Sequence, residues 1–470
     1  MTSDMATAPV AVNERSMVDD LRACLRGQVM DRSHPEYDRA RQVWNGVNDR
    51  HPTVIARCAG TADVVEAVRV ARQRQPVVSI RGGGHQVAGS AVCDNGLVID
   101  LSAMKGIHVD PVRRTVRAQG GVTWGELDRE TQLFGLATPG GEVTTTGIAG
   151  FTLGGGMALT SRKFGLACDN LRSVEIVTAD GAVRTASREQ HRDLFWAVRG
   201  AGRGLGVVTS FEFDLHPLGP QVAQAQYVYP YEEAERIMRG WRELAPAMPE
   251  SVTPQLILWS VPEDPEIPAE LHGRKAVFVI GLFAGPADGA DEALAPLGTL
   301  GTPLLDLSGP MPYLDVQSSV DEVFPHGGRY YMKSHGMHDL SDEAIASLLE
   351  WDATRPTPES LIAIRTLGGA VARVGPEESA FPHRSDVFNV SIDAGWQDPA
   401  MDDTAVGWAR GLWDALRPHA SGGVYINFSG LGDEADGLRH AVFGSSQARL
   451  ADVRARYDPD GLFDTAARRP

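Results

Sequence analysis

Three glycines in a row, Gly82, Gly83 and Gly84, stand between the apolar run 77–80 and His85, with Arg81 leading them in. With no Cβ in the way, such a stretch turns tightly and brings its N–H groups against an anion. Arg81 adds a permanent charge able to fork onto phosphate oxygens, and His85 places a nucleophilic ring nitrogen where the cradle ends. The pattern points to a ligand carrying a pyrophosphate, with His85 as a point of covalent attachment; a tight turn with a surface histidine is the plainer reading of the same residues. The familiar dinucleotide fingerprint G-x-G-x-x-G opens a helix after a strand. Here Gln86-Val87-Ala88-Gly89-Ser90 runs through Asp94-Asn95-Gly96 into Leu97-Val98-Ile99-Asp100-Leu101, a second strand. A nicotinamide-dehydrogenase arrangement is therefore disfavoured, and the glycine N–H groups and Arg81 must serve in place of a helix N-terminus.

The 51 glycines cluster at 82–96, 120–156 and 200–206, which marks the first half of the chain as the part where backbone approaches something closely. Val64, Val65, Val68 and Ala71 recur at helical spacing over 61–74, and that helix feeds the strand at 77–80. Strands are predicted at 116–119, 174–178 and 183–185, the last two joined at Asp180-Gly181, and the alternating stretch 207–215 closes the region. Beyond His216-Pro217 glycine thins out. Amphipathic helices are predicted at 232–244 and 342–351 and strands at 277–282 and 361–364, giving an antiparallel sheet with helices on one side. A last glycine-bearing segment, 422–428, leads through a helix to Arg456 and into Tyr457-Asp458-Pro459.

A chain of 470 residues exceeds a single core. We expect an α+β protein: an N-terminal extension at 1–36 whose first ten residues or so are frayed, a cofactor domain at 37–217, a substrate domain of antiparallel sheet covered by helices at 218–420, and a segment at 421–470 that returns to the first domain. The formal net charge of −17 argues against a nucleic-acid partner. Residues 1–14 hold no apolar core of a signal peptide and no stretch is long enough to span a bilayer, so cytoplasmic residence is expected. The four cysteines, Cys24, Cys58, Cys93 and Cys168, lie far apart and read as reduced thiols. His335 and His338 lack a third partner, so no metal site is expected.

The loop 81–85, the run Gly147-Ile148-Ala149-Gly150-Phe151-Thr152-Leu153-Gly154-Gly155-Gly156, the stretch Asp193-Leu194-Phe195-Trp196-Ala197-Val198-Arg199-Gly200 and the terminal Tyr457-Asp458-Pro459 occur together in order. In this the chain resembles the berberine-bridge-enzyme-like FAD-linked oxidases, which share the vanillyl-alcohol-oxidase (PCMH) type of flavin domain, and most of all bacterial members of antibiotic pathways. The resemblance covers about 37–467. It implies FAD attached at His85, with Arg81, Gly82, Gly83, Gly84, Gln86, Gly89 and Ser90 at the pyrophosphate. It also implies Gly147, Gly150, Gly154 and Gly155 under the flavin and ribityl chain, the backbone groups of Ile176 and Val177 at the adenine side, and Tyr425 and Asn427 closing over the ring and ribityl tail. Where many relatives carry a second attachment through cysteine, this chain has Val143, which cannot form a thioether, so attachment is expected through His85 alone.

The implied reaction is hydride transfer from a small secondary metabolite to flavin, with oxygen as acceptor. Thr146 stands where the family controls oxygen access, and its small hydroxyl-bearing side chain leaves room for oxygen; the alternative is a strand residue satisfying its own backbone. The base is left open. Tyr331 is one candidate, although strand alternation lets only one of Tyr330 and Tyr331 face a cleft and both could simply pack an interface. The strand at 361–366 holds no carboxylate, and Arg365 there is a candidate for an anionic substrate group or a surface ion pair. An oxygenating route, a carbohydrate or alcohol oxidase, and a flavin-binding homologue without turnover are the alternatives. Oligomeric state is not legible.

Overall fold

The computed structural model describes residues 16–265, 267–430 and 438–463. The expected fraying of the first ten residues lies outside them. Two sheets build the first half. A four-stranded sheet has the order Gln28–Asp31, Val54–Arg57, Leu97–Asp100, Val78–Arg81, with its first pair antiparallel and the others parallel. Residues from the expected extension thus form an edge strand. The helix Thr61–Arg74 packs Val64, Ala67, Val68 and Ala71 onto this sheet. Its first turn is tied down by Asp63, a buried carboxylate that accepts the backbone N–H groups of Arg26, Gly27 and Ala59 at 2.8–2.9 Å.

The second sheet is antiparallel, in the order Ile107–Asp110, Thr115–Gln119, Val207–Asp214, Leu171–Val177, Val183–Ser187. The hairpin at Asp180-Gly181 forms as its sequence requires: Gly181 has φ +79°, and Asp180 caps the turn by accepting Ala182 N–H. The helix Arg192–Ala201 seals its core with Leu194, Phe195 and Trp196.

The second half is one antiparallel sheet of eight strands. Its path runs Leu305–Asp306, Gln221–Pro230, Lys275–Phe283, Val252–Ser260, Leu361–Thr366, Phe388–Trp396, Arg329–Met337, and Gly309–Pro312 also pairs with Gln221–Pro230. Five of these strands, among them Gln221–Pro230, Val252–Ser260 and Phe388–Trp396, were not foreseen from the sequence. The helices Ala234–Ala247, Asp342–Ala353 and Asp402–Leu416 cover one face, burying Trp241, Leu348 and Leu412 with Leu256, Ile364 and Ile392. The helix expected at 232–244 begins two residues later, after a 3-10 turn at Tyr231–Glu233, and runs on to Ala247. The other face of the sheet is turned toward the glycine loops.

The C-terminal part is broken into short pieces: a 3-10 turn at Ile426–Phe428 and helices Arg439–Phe443 and Gln447–Tyr457. Residues 431–437, part of the helix expected there, lie outside the described residues. The return to the first half is firm. Ala179 N–H donates to the Tyr457 carbonyl, Tyr457 Oη donates to Asp193 at 3.0 Å, and Asp458 caps Leu462 and Phe463 N–H. All four cysteines are free thiols. No helix among the described residues is long and apolar enough to cross a membrane.

Candidate active site

A large cavity lies between the glycine loops and the open face of the eight-stranded sheet. Gly82, Gly83, Gly84, His85, Gln86, Ser90, Thr146, Gly147 and Gly150 line one side, and Met332, Arg365 and Asp393 the other. Tyr425, Asn427 and Phe428 of the returning segment also line it. The loops are drawn together by missing side chains. A Cβ on Gly83 would stand 2.3 Å from the Gly147 nitrogen, whereas one on Gly150 would meet nothing within 4 Å, because Gly150 faces the cavity.

His85 sits at the joint of the two sides. Its ring stacks on Trp44 with centroids 4.9 Å apart, Nε2 lies 2.7 Å from Thr145 Oγ1, and Nδ1 lies 3.4 Å from Thr146 Oγ1. Burial, aided by His326, pushes the imidazole pKa down to about 3. The ring is neutral at physiological pH and keeps a lone pair for bond formation.

Several residues expected at the cavity are elsewhere. Arg81 does not line it: as the last residue of its strand it turns toward the preceding segment, where Nη1 donates to the Ala40 carbonyl. The arginines that do line it are Arg203, Arg365 and Arg454. Gly89, at φ +66°, makes room for Asn48. Gly154 makes room for Asn427 of the returning segment and Gly155 for the Phe381 side chain. The Ile176 and Val177 side chains are buried in the cores on either side of their sheet, which leaves the backbone role expected of them; Gly206, packed on the Val177 carbonyl, lines the cavity in that region.

Tyr425 and Asn427 do close the cavity. Tyr425 Oη accepts the N–H groups of Gly156 and Met157 at 3.1 Å and the Asn427 amide at 2.9 Å, while that amide also donates to the Phe151 carbonyl at 3.0 Å. Burial pushes the Tyr425 phenol pKa up. Val143 also lines the cavity.

The expectation that Tyr331 faces the cleft is corrected. Tyr331 is fully buried beneath the helix layer, where Arg410 Nε donates to its Oη at 2.9 Å. Alternation places Met332 on the cavity side instead. Tyr330 stacks on Trp44 at 4.1 Å and donates its hydroxyl to the Pro325 carbonyl. His335 shares the helix-side face, stacking on Trp413 and bonding its carbonyl through Nε2.

Asp393 was missed by the sequence reading. It lies on Phe388–Trp396, opposite Leu361 on one side and Met332 on the other. It is 4% exposed; Oδ2 accepts from Ser391 Oγ at 3.0 Å, while Oδ1 has no hydrogen-bond partner. Burial pushes its pKa up to about 6, against the opposing pull of Arg365 and Ser391 and with a further push from Glu142. Arg365 Nη1 donates to Ser391 Oγ at 2.7 Å and its guanidinium lies over the Phe428 ring at 4.9 Å. A chain Arg365–Ser391–Asp393 therefore orients one carboxylate oxygen and leaves the other without a hydrogen-bond partner. The available signal was the alternation Phe388, Val390, Ile392 against Asn389, Ser391, Asp393.

Comparison with known proteins agrees with this geometry. Residues 52–187 match the family described as FAD binding domain. The chain is 31% identical to the FAD-linked oxidoreductase YgaK of Bacillus subtilis over 93% of this chain and 96% of that protein. Among solved structures, 6-hydroxy-D-nicotine oxidase from Arthrobacter nicotinovorans superposes with a TM-score of 0.82 at 27% identity, covering 93% of this chain and 96% of that one. BBE-like 1 of Physcomitrella patens superposes with a TM-score of 0.85 at 23% identity, over 96% and 98%.

Proposed function

The chain belongs to the berberine-bridge-enzyme-like FAD-linked oxidoreductases, and on that premise we propose that it is an oxidase of a small secondary metabolite, using FAD tethered at His85 alone, with Asp393 as base. The observation that carries this reading is the buried Asp393 carboxylate, which lines the same cavity as His85 and the glycine wall and whose Oδ1 has no hydrogen-bond partner.

The residues fit the cofactor. Gly150 leaves open the space a side chain would fill, Gly82 to Gly84 expose backbone to the cavity, and Arg203 and Arg454 supply positive charge for phosphates in the role expected of Arg81. Gln86 and Ser90 add polar groups beside the glycines. When bound, FAD accepts a hydride from a substrate C–H bond and passes the electrons to oxygen.

The protein's part is orientation and proton handling. Asp393 Oδ1 takes the proton released from the substrate's hydroxyl, amine or activated carbon, and a pKa near 6 leaves it ionised at neutral pH without making it a feeble acceptor. Arg365 and Ser391 hold the carboxylate in place and share its charge. Met332, Phe324, Val320 and Phe428 press apolar walls against the substrate and keep water out. Neutral His85, held by Thr145 and Trp44, offers its ring nitrogen for the single link, and Thr146 beside it leaves space for oxygen.

Mass measurement of the denatured polypeptide tests the tether: a mass heavier by one FAD is expected, and His85→Ala should lose it. Release of all the yellow pigment on acid precipitation would overturn the covalent link and leave the oxidoreductase assignment intact. Formation of one hydrogen peroxide per substrate oxidised tests the acceptor.

A further inference from the structure

Three charged side chains meet at the sheet side of the cavity, Glu142, Arg365 and Asp393, and their charges do not cancel. Arg365 is engaged by Ser391 and by the Phe428 ring, and Asp393 is given a proton-accepting role above. Glu142 remains. It lies on the stretch between Gly141 and Val143, lines the cavity, and accepts no hydrogen bond from any described residue; the Arg365 charge is the one opposing influence on a carboxyl that burial pushes upward. Asp393, nine-tenths buried and lining the same cavity, holds a second acceptor without a hydrogen-bond partner, Oδ1.

With both acids ionised this region carries one negative charge more than Arg365 neutralises. The surrounding walls, Val143, Val320, Phe324, Met332 and Phe428, are apolar and supply no hydrogen-bond donor for a carboxylate. A ligand with an N–H-bearing cationic group answers both needs: it brings the missing positive charge and the missing donors, and aromatic faces stand ready beside it. An anionic ligand would add to the excess and leave Glu142 without a donor.

We propose that Glu142 is the specificity-determining carboxylate of the substrate site and that the substrate class it selects is a cationic amine attached to an apolar body. The proposal rests on the reading of this cavity as the place of oxidation and adds to it the chemistry that is recognised.

Calorimetric titration of the holoenzyme with benzylamine, benzyl alcohol and benzoate, which share a ring and differ in charge, tests it. Benzylamine should bind about tenfold more tightly than benzyl alcohol, with benzoate the weakest, the difference expected of one charge-assisted hydrogen bond. Glu142→Gln should erase the amine preference while leaving benzyl alcohol affinity in place, and Glu142→Asp should restore part of it. Benzoate binding best, benzylamine giving no saturable heat, or a preference that survives Glu142→Gln overturns the proposal. The visible flavin spectrum, followed in the same titration, separates the two readings. Amine binding that depends on Glu142 yet leaves that spectrum unmoved supports the recognition role and overturns the location of the chemistry; a perturbed spectrum without amine preference does the reverse.

Discussion

The two sides of the cavity are built on different principles. The glycine side is mainly backbone: Gly83 approaches Gly147 so closely that the absence of side chains is itself the structure. The sheet side is made of side chains, with Glu142, Arg365, Ser391 and Asp393 arriving from three separate stretches of chain. A wall of backbone suits a cofactor common to a whole family. Side chains projecting from strands can be exchanged without disturbing the ladder beneath them, so in the proposed function the sheet side is assigned substrate choice.

The largest expected effect breaks the sheet side alone. Asp393→Asn should lower kcat by about 10²–10⁴-fold, the usual range for a lost general base, while the bound FAD is retained. In the unaltered enzyme kcat/KM should rise with pH through about 6, because the carboxyl must lose its proton before it can accept one. That acidic limb should vanish in Asp393→Asn; an unchanged pH profile would exclude this residue as the base.

A smaller effect separates the two kinds of glycine on the other side. Gly150→Val places its side chain in open cavity space and should reduce flavin content per chain by about tenfold, with the fold retained. Gly83→Ala drives a methyl into the Gly147 backbone and should instead lower unfolding stability by roughly 1–3 kcal/mol. Absorbance ratio and chemical denaturation distinguish the two outcomes, and identical behaviour of both variants would erase the distinction.

The smallest effect concerns the buried neighbour of the sheet side. Tyr331→Phe removes the acceptor of the Arg410 hydrogen bond and should cost about 1 kcal/mol of stability, with the pH profile of kcat/KM unaltered. Loss of the acidic limb in this variant would return Tyr331 to the chemistry.

Much of the first half was legible because its signals are local. The helix Thr61–Arg74, the strand before the glycine loop and the hairpin at Asp180-Gly181 each follow from periodicity or turn chemistry within a few residues. Arg81 was misread for a related reason: adjacency in sequence to the glycines does not set the direction of a side chain, and the guanidinium turned to the Ala40 carbonyl. Gly154 and Gly155 were assigned to the cavity, whereas the space beside them is taken by the Asn427 and Phe381 side chains. The strand Phe388–Trp396 is buried along its whole length, so its polar members looked out of place until the sheet gave them a cavity to face.

What the amino-acid order determined alone is the cradle: consecutive glycines permit one close backbone approach wherever the chain places them, and His85 follows them covalently. What the tertiary structure decided is the reactive end. Strand pairing across residues 329–396 sets Met332, Leu361 and Asp393 side by side, and burial there raises the Asp393 carboxyl pKa to about 6. Proximity of that kind arises from sheet register, and its electrostatics from exclusion of water, neither of which any short window of sequence contains.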